Sequence, residues 1–263
     1  MMNIIDIQTE RLDNNGAYTL QKKRPCCTLV PRWWMKMDVK QRCAEKALEY
    51  ITEGSIMGLG GGSTIKHLIT LINENKIYVK VVTPSWETEQ HCIDAGLEVV
   101  SITDVSKIDT AFDGCDQVDE QFHALKSGGG IHSMEKLVAE LSEEYILLVD
   151  KTKVVPVLTY DHPVVLEVLP QALHFVNEKL KSFPARASHV RQSSGQDGPV
   201  YTGNGNLLVD VFMDAGQDGA DLERRFKGVT GVVDTSLFTS VVTKVLVAGE
   251  TGVQEMKKGG DVR

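Results

Sequence analysis

The stretch MGLGGGSTIKHL, residues 57–68, decides how the rest of the chain is read. Four of the five residues from Gly58 to Gly62 are glycine, and Ser63 and Thr64 follow. Upstream, SIMGLG (55–60) reads as a short apolar strand running into the glycines. Downstream, Ile65, Leu68, Ile69 and Ile72 recur at helical spacing, so residues 63–72 predict an amphipathic helix. A loop between the first strand and a helix is where doubly wound sheets bind ligands. Backbone without Cβ atoms lets amide groups and a helix N-terminus close on an anion, and Ser63 and Thr64 add hydroxyl donors. The loop therefore suits a phosphate, with a purely structural tight turn as the competing reading. GLGGGS is an imperfect G-x-G-x-x-G, and the next strand ends in Val82-Thr83-Pro84 with no acid for a ribose hydroxyl. There is no G-K-[ST] either, so neither a dinucleotide nor a nucleoside triphosphate is expected.

Working outward, strand and helix alternate. Residues 38–51 predict a helix capped by Asp38, with Val39, Cys43, Ala47, Leu48 and Ile51 on one face. IYVKVVT (77–83) predicts a strand, and SWETEQHCIDAG (85–96) a helix stopped by Gly96. LEVVSI and TAFDG predict strands. HSMEKLVAELSEE (132–144) predicts a helix with Met134, Leu137, Val138 and Leu141 inward, and YILLVD (145–150) a buried strand. This rhythm predicts an α/β fold with a parallel, doubly wound sheet. It changes near residue 157. HPVVLEVLP, a helix over QALHFVNEKLKSF, then ARASHVRQ, PVYTGNG and NLLVDVFM as antiparallel strands, a helix over DLERRFKG and the segment VTGVVDTSLF suggest a smaller α+β unit. KVLVAG (244–249) returns to the first sheet. The expected division is 37–157 plus 233–256 for the larger domain and 158–232 for the smaller. Residues 1–36, with Trp33 and Trp34, show no sustained periodicity and read as a disordered or mis-assigned leader, or else a basic docking tail.

Further strand-end loops carry chemistry. FDGCDQVDE (112–120) sets Asp113 and Asp116 three apart around Gly114. LKSGGGIHSMEK (125–136) supplies Lys126, three glycines, and Glu135 just inside a helix. VDKTK (149–153) adds Lys153. The carboxyl edge of one parallel sheet would gather a phosphate cradle, carboxylates and lysines in a single crevice. Each residue alone has a bland reading as a turn former, helix cap or solvated charge. Four such coincidences on adjacent loops favour a site.

The 263 residues carry a net charge of −8. Residues 1–37 hold six basic and three acidic side chains, which leaves −11 on the rest. An acidic body argues against nucleic acid as a partner, while a few local donors still suit a small anion. No apolar run approaches the roughly 18 residues of a membrane span, and the first residues lack the apolar core of a secretory signal. The five cysteines (Cys26, Cys27, Cys43, Cys92 and Cys115) lack paired metal-ligand spacing and read as reduced cytosolic thiols. The seven histidines show no H-E-x-x-H pairing.

From about Met37 onward, GSIMGLGGGST, DGCDQVDE, KSGGGIHSMEK, VDKTK, VLEVLP, YTGNGNLLVDV and VTGVVDTSLF occur in an order that resembles the type A ribose-5-phosphate isomerase family. The resemblance implies a Rossmann-like domain with an inserted ferredoxin-like lid. It also implies interconversion of ribose 5-phosphate and ribulose 5-phosphate without metal or cofactor, in a cytoplasmic homodimer or homotetramer of the pentose phosphate pathway. Carried over by residue, Glu135 matches the catalytic base, and Asp113, Asp116 and Lys126 match polar groups around the reacting oxygens. Gly61, Gly62, Ser63 and Thr64 match the substrate loop, Lys153 a substrate-contacting lysine, and Lys40 a lysine near the phosphate. Gly114, Cys115, Ser127, Gly128 and Gly129 fall within matched substrate loops. Neither His132 nor Cys115 is expected to be catalytic.

The chain departs from the family pattern at several places. Gly61 replaces the usual Ser or Thr, Cys115 and Gln117 stand where Ala and Glu are usual, Ser127 replaces a Gly, and Gly203 an Asp. Gly61, Gln117 and Ser127 are all expected to point at the pocket, which leaves open an isomerase for another phosphorylated sugar. A non-catalytic sugar-phosphate sensor is a further reading, though no helix-turn-helix pattern precedes Met37 and a sensor has no need of Glu135 with Lys126. A deaminase or acyl-CoA transferase on a similar sheet would want its histidine or nucleophilic Glu on other loops.

Overall fold

A computed structural model describes residues 38–195, 197–256 and 258. The expected leader, with Trp33, Trp34, Cys26 and Cys27, lies outside the described residues. In chain order the first elements are α1 (Val39–Ala47), β1 (Ile56–Leu59), α2 (Ser63–Glu74), β2 (Lys80–Val82), α3 (Trp86–Asp94), β3 (Glu98–Val99) and β4 (Ile108–Asp113). Next come β5 (Gln117–Asp119), β6 (Ala124–Leu125), α4 (His132–Leu141), β7 (Ser142–Asp150), β8 (Val154–Val155) and β9 (Val164–Val168). The chain continues through α5 (Leu173–Leu180), β10 (Ala185–Val190), β11 (Leu207–Met213), α6 (Gly219–Lys227), β12 (Val232–Thr235), β13 (Leu237–Phe238), β14 (Lys244–Gly249) and β15 (Gly252–Met256).

The large sheet runs β15-β14-β7-β4-β1-β2-β3. Every neighbouring pair is parallel except the β14–β15 hairpin at one edge. Strand order reverses after β1, so the β1–α2 turn and the end of β4 lie side by side at the carboxyl edge. Apolar side chains of α1 and α2 cover one face, with Cys43, Ala47, Leu68 and Ile72 buried there. Val138 and Ala139 of α4, with Tyr145 and Phe238, cover the other. Burial on both faces is what lets the strands read as continuous apolar runs.

Residues 164–235 fold as β-α-β-β-α-β, and their antiparallel sheet runs β10-β11-β9-β12, the ferredoxin-like arrangement. A third, small sheet, β13-β6-β5-β8, joins the two larger ones. Sequence reading did not anticipate it, because its strands are only two or three residues long and carry no period.

Other expectations need correction. The helix after the second glycine run ends at Leu141, and β7 begins at once at Ser142, where the ladder with Ile108 starts. Leu137 is 44% exposed instead of inward, because α4 turns Glu135 and Lys136 to the interior along with Val138 and Ala139. PVYTGNG forms only isolated bridges around a tight turn at 202–206 rather than a strand. Asp38 accepts from the Lys40 amide as expected, and α3 ends before Gly96 at φ +75°; the structure adds Ser85 as the N-cap of α3.

Candidate active site

The glycine turn is built around Asp113. A Cβ on Gly60 would lie 2.0 Å from Asp113 Oδ1, so only glycine lets the end of β4 place its carboxylate there. The Thr88 hydroxyl donates to the Gly60 carbonyl at 2.8 Å and fixes the turn from α3. Gly62, at φ +104°, is the N-cap of α2, and having no side chain it leaves the first-turn amides to an incoming anion. These residues open on a cleft of about 140 Å³ lined by Lys40, Gly61, Gly62, Ser63, Thr64, Gly114, Asp150 and Lys153. Lys153 also donates to the Cys115 carbonyl at 2.7 Å, which ties the β7 end to the β4–β5 turn.

Gly114 leads from this cleft to a second cluster. Lys126 donates to the Gly114 carbonyl, and its ammonium lies 2.9 Å from Asp113 Oδ2 and 3.4 Å from Glu135 Oε1. All three charged side chains are buried. Asp113 is saturated: Oδ1 accepts the Gly114 amide at 2.7 Å, and Oδ2 accepts the Tyr145 hydroxyl at 2.8 Å besides Lys126. Asp116 gives Oδ2 to the Ser127 amide at 2.6 Å. Glu135 stands in the first turn of α4, whose start is set by the positive-φ glycines Gly129 and Gly130.

The electrostatics follow from burial and proximity. Burial, then the Asp113 charge, push the Glu135 carboxyl far above the usual carboxylate range, and Lys126 only partly offsets them. Burial alone would favour a neutral Lys126, but Asp113 and Glu135 outweigh it and hold the ammonium charged. Burial pushes the Cys115 thiol up to about 12, so it offers no thiolate near neutral pH. Among the described residues no group of three or more His, Cys, Asp or Glu side chains could hold a metal ion, and no helix is long and apolar enough to cross a membrane.

The structure thus brings Lys40, residues 61–64, Gly114 and Lys153 into one cleft, and sets Lys126 against both Asp113 and Glu135 beside it. Asp116 accepts from the Ser127 amide beside Lys126, and Gly128 and Gly129 continue that loop without lining the cleft. Two expected pocket residues turn elsewhere. The Gln117 amide pairs with Thr159 through bonds of 2.6 and 3.1 Å, and Ser127 Oγ donates to the Pro163 carbonyl at 2.5 Å. Sequence reading missed Tyr145, Thr88 and Arg191. The signal for Tyr145 was a lone hydroxyl in an otherwise aliphatic strand; for Arg191 it was a charge closing a strand opposite another that contains Asp210.

A family model described as ribose 5-phosphate isomerase A (phosphoriboisomerase A) matches residues 80–252. The chain is 36% identical over 215 residues to ribose-5-phosphate isomerase A of Prochlorococcus marinus subsp. pastoris, covering 80% of this chain and 93% of that one. The solved structure of ribose 5-phosphate isomerase A from Methanocaldococcus jannaschii superposes with a TM-score of 0.78 at 34% identity, covering 84% of this chain and 98% of the other. A D-ribose-5-phosphate isomerase solved in complex with phospho-erythronic acid gives 0.79 at 31% identity, covering 83% and 97%. With a family model matching residues 80–252 and a relative 36% identical over 80% of this chain, the chain belongs to the ribose 5-phosphate isomerase A family.

Proposed function

We propose that this protein interconverts D-ribose 5-phosphate and D-ribulose 5-phosphate, with Glu135 as the base. The observation that carries the assignment is the Asp113–Lys126–Glu135 contact beside a cleft of helix amides, hydroxyls and lysines. The phosphate end of the sugar would occupy that cleft, held by the start of α2, Lys40 and Lys153. This end does not react; its binding energy positions the open chain. The Glu135 carboxylate takes the proton from C2, and the C–H electrons form the C1=C2 bond as charge moves onto O1. The enediolate meets Lys126, a cation already in place and shielded from water. Asp116 has one oxygen committed to Ser127 and is assigned the transfer of the O2 proton to O1. The same Glu135 then returns its proton to C1, so one buried group serves both steps. Asp113, with both oxygens engaged, is assigned to holding Lys126 in line.

The known complex of a family member with phospho-erythronic acid supports a site that takes a phosphorylated sugar acid. The reading extends to a homodimer or homotetramer working in the cytoplasm on the pentose phosphate pathway, with residues 158–232 acting as the lid. The test is a coupled assay for ribulose 5-phosphate formed from ribose 5-phosphate, with EDTA present and no added metal. Turnover by the wild-type protein, lost in Glu135→Gln while ribose 5-phosphate still binds, is the expected result. Substantial turnover in that variant would remove Glu135 from the role, and an inactive wild type would overturn the assignment.

A further inference from the structure

A charged side chain of the antiparallel unit reaches across to the loop from Lys126 to Glu135 and hydrogen-bonds it. Arg191, at the end of β10, donates from Nη2 to the Ser127 carbonyl at 2.9 Å. Its guanidinium is aimed by Asp210 of β11, which accepts from Nε at 3.1 Å with each oxygen and from Nη2 at 2.5 Å. Three further contacts pin the same stretch. The Ser127 amide donates to Asp116 and the Ser127 hydroxyl to Pro163, while the Lys126 amide donates to the Ser236 carbonyl at 3.0 Å. Gly130, at φ +70°, packs so close to β11 that a Cβ there would lie 2.5 Å from Leu208 Cδ1. The peptide planes on either side of Ser127 are therefore fixed, one by Asp116 and the other by Arg191.

From this geometry we infer that Arg191 is a positioning residue: through Ser127 it sets where Lys126, Asp116 and the glycine amides stand relative to the substrate. Its planar fork binds Asp210 and the loop carbonyl at once, which a lysine cannot reproduce. The kinetic side of this inference rests on the isomerase reading above; the structural side does not.

The test compares wild type, Arg191→Ala and Arg191→Lys by hydrogen exchange and by steady-state kinetics with ribose 5-phosphate. The expected result for Arg191→Ala is exchange at Gly128, Gly129 and Gly130 faster by roughly tenfold or more, with the 61–64 amides unchanged. Its kcat should fall about 100-fold, the scale of an ångström's misplacement, with KM within about threefold. Millimolar guanidinium should restore part of the loss, and Arg191→Lys should fall between the two. If Arg191→Ala does not fold, Arg191→Lys carries the same two readouts. Unchanged exchange at 128–130, or kcat within about threefold of wild type, would overturn the inference. If the wild-type protein fails to turn over ribose 5-phosphate, the isomerase reading falls, and the exchange result alone decides whether Arg191 holds the loop.

Discussion

Lys126 Nζ lies 3.4 Å from Oε1 of Glu135, close enough to stabilise its charge but farther than the 2.9 Å to Asp113. Burial and Asp113 push Glu135, the proposed base, up to about 8, and Lys126 holds it from rising more. The ionised form is the one that can take a proton from carbon. The kcat/KM of the wild-type protein should therefore rise with pH toward that value and level off above it. Lys126→Met removes the lowering influence, so its profile should shift to higher pH, with kcat down roughly 10²–10³-fold from the lost oxyanion partner. Glu135→Gln should abolish the limb and cost roughly 10²–10⁴-fold or more. A limb that stays put in Lys126→Met would refute the coupling of the two groups.

Adjacent glycines should behave oppositely. Gly60→Ala drives a Cβ into the Asp113 carboxylate, which is fixed by Gly114, Tyr145 and Lys126, so kcat should fall about 100-fold. Gly61→Ser meets nothing nearer than Ser85 Oγ at 3.7 Å and lies outside the left-handed region, so it should fold normally. It adds a hydroxyl to the cleft that Gly61 lines. One added hydrogen bond to phosphate is worth about 0.5–1.5 kcal/mol, or roughly two- to tenfold in KM. Steady-state kinetics on the two variants, with melting curves as a control for folding, decide both points.

The contrast also shows what the sequence could carry. MGLGGGST could be read as a strand, a glycine turn and a helix start because its signals are local: glycines, hydroxyls and the helix pattern begin within eight residues. The parallel sheet was legible for the same reason, since strand and helix periods are short-range signals. The joining sheet was not, because β5, β6, β8 and β13 are only two or three residues long and, apart from the β5–β6 hairpin, are defined by pairing between distant segments. The fates of Gln117 and Ser127 were equally hidden. Nothing near either residue reveals that Thr159 and Pro163 lie within bonding distance. Leu137 failed because a hydrophobic stripe was assumed to be the buried stripe, whereas α4 spends its inner face on Glu135 and Lys136.

Lys136 is the less visible half of that face. It is 3% exposed and donates to Glu223 at 2.6 Å, Asp234 at 2.7 Å and the Thr235 carbonyl at 2.8 Å. These partners belong to α6 and the end of β12, so the residue after Glu135 anchors its helix to the antiparallel unit. Lys136→Met keeps the length but removes the ammonium shared by the buried Glu223 and the partly buried Asp234, and removing one partner of a buried ion pair costs about 3–5 kcal/mol. Urea unfolding should show a loss of that size. A change below about 1 kcal/mol would mean that the carboxylates find water or other partners.

His132 makes the fold sensitive to acid. It is fully buried one turn before Glu135 on α4, and neither ring nitrogen has a hydrogen-bond partner. Burial, then the Lys136 charge, pull it down to about 4 from its ordinary 6.5. The unfolded chain therefore binds this proton more readily than the folded one. The stabilising effect of a neutral His132 is complete above about pH 6.5 and is lost progressively as pH falls toward 4. At pH 5 the loss amounts to about 2 kcal/mol, from 1.36 kcal/mol for each unit below the unfolded value. His132→Leu cannot take up the proton and leaves no unpaired nitrogen. Its melting temperature should therefore exceed that of the wild type at pH 5 by more than it does at pH 7.5. Equal differences at the two pH values would show that His132 is not the group that titrates, and would move attention to the carboxylates around it.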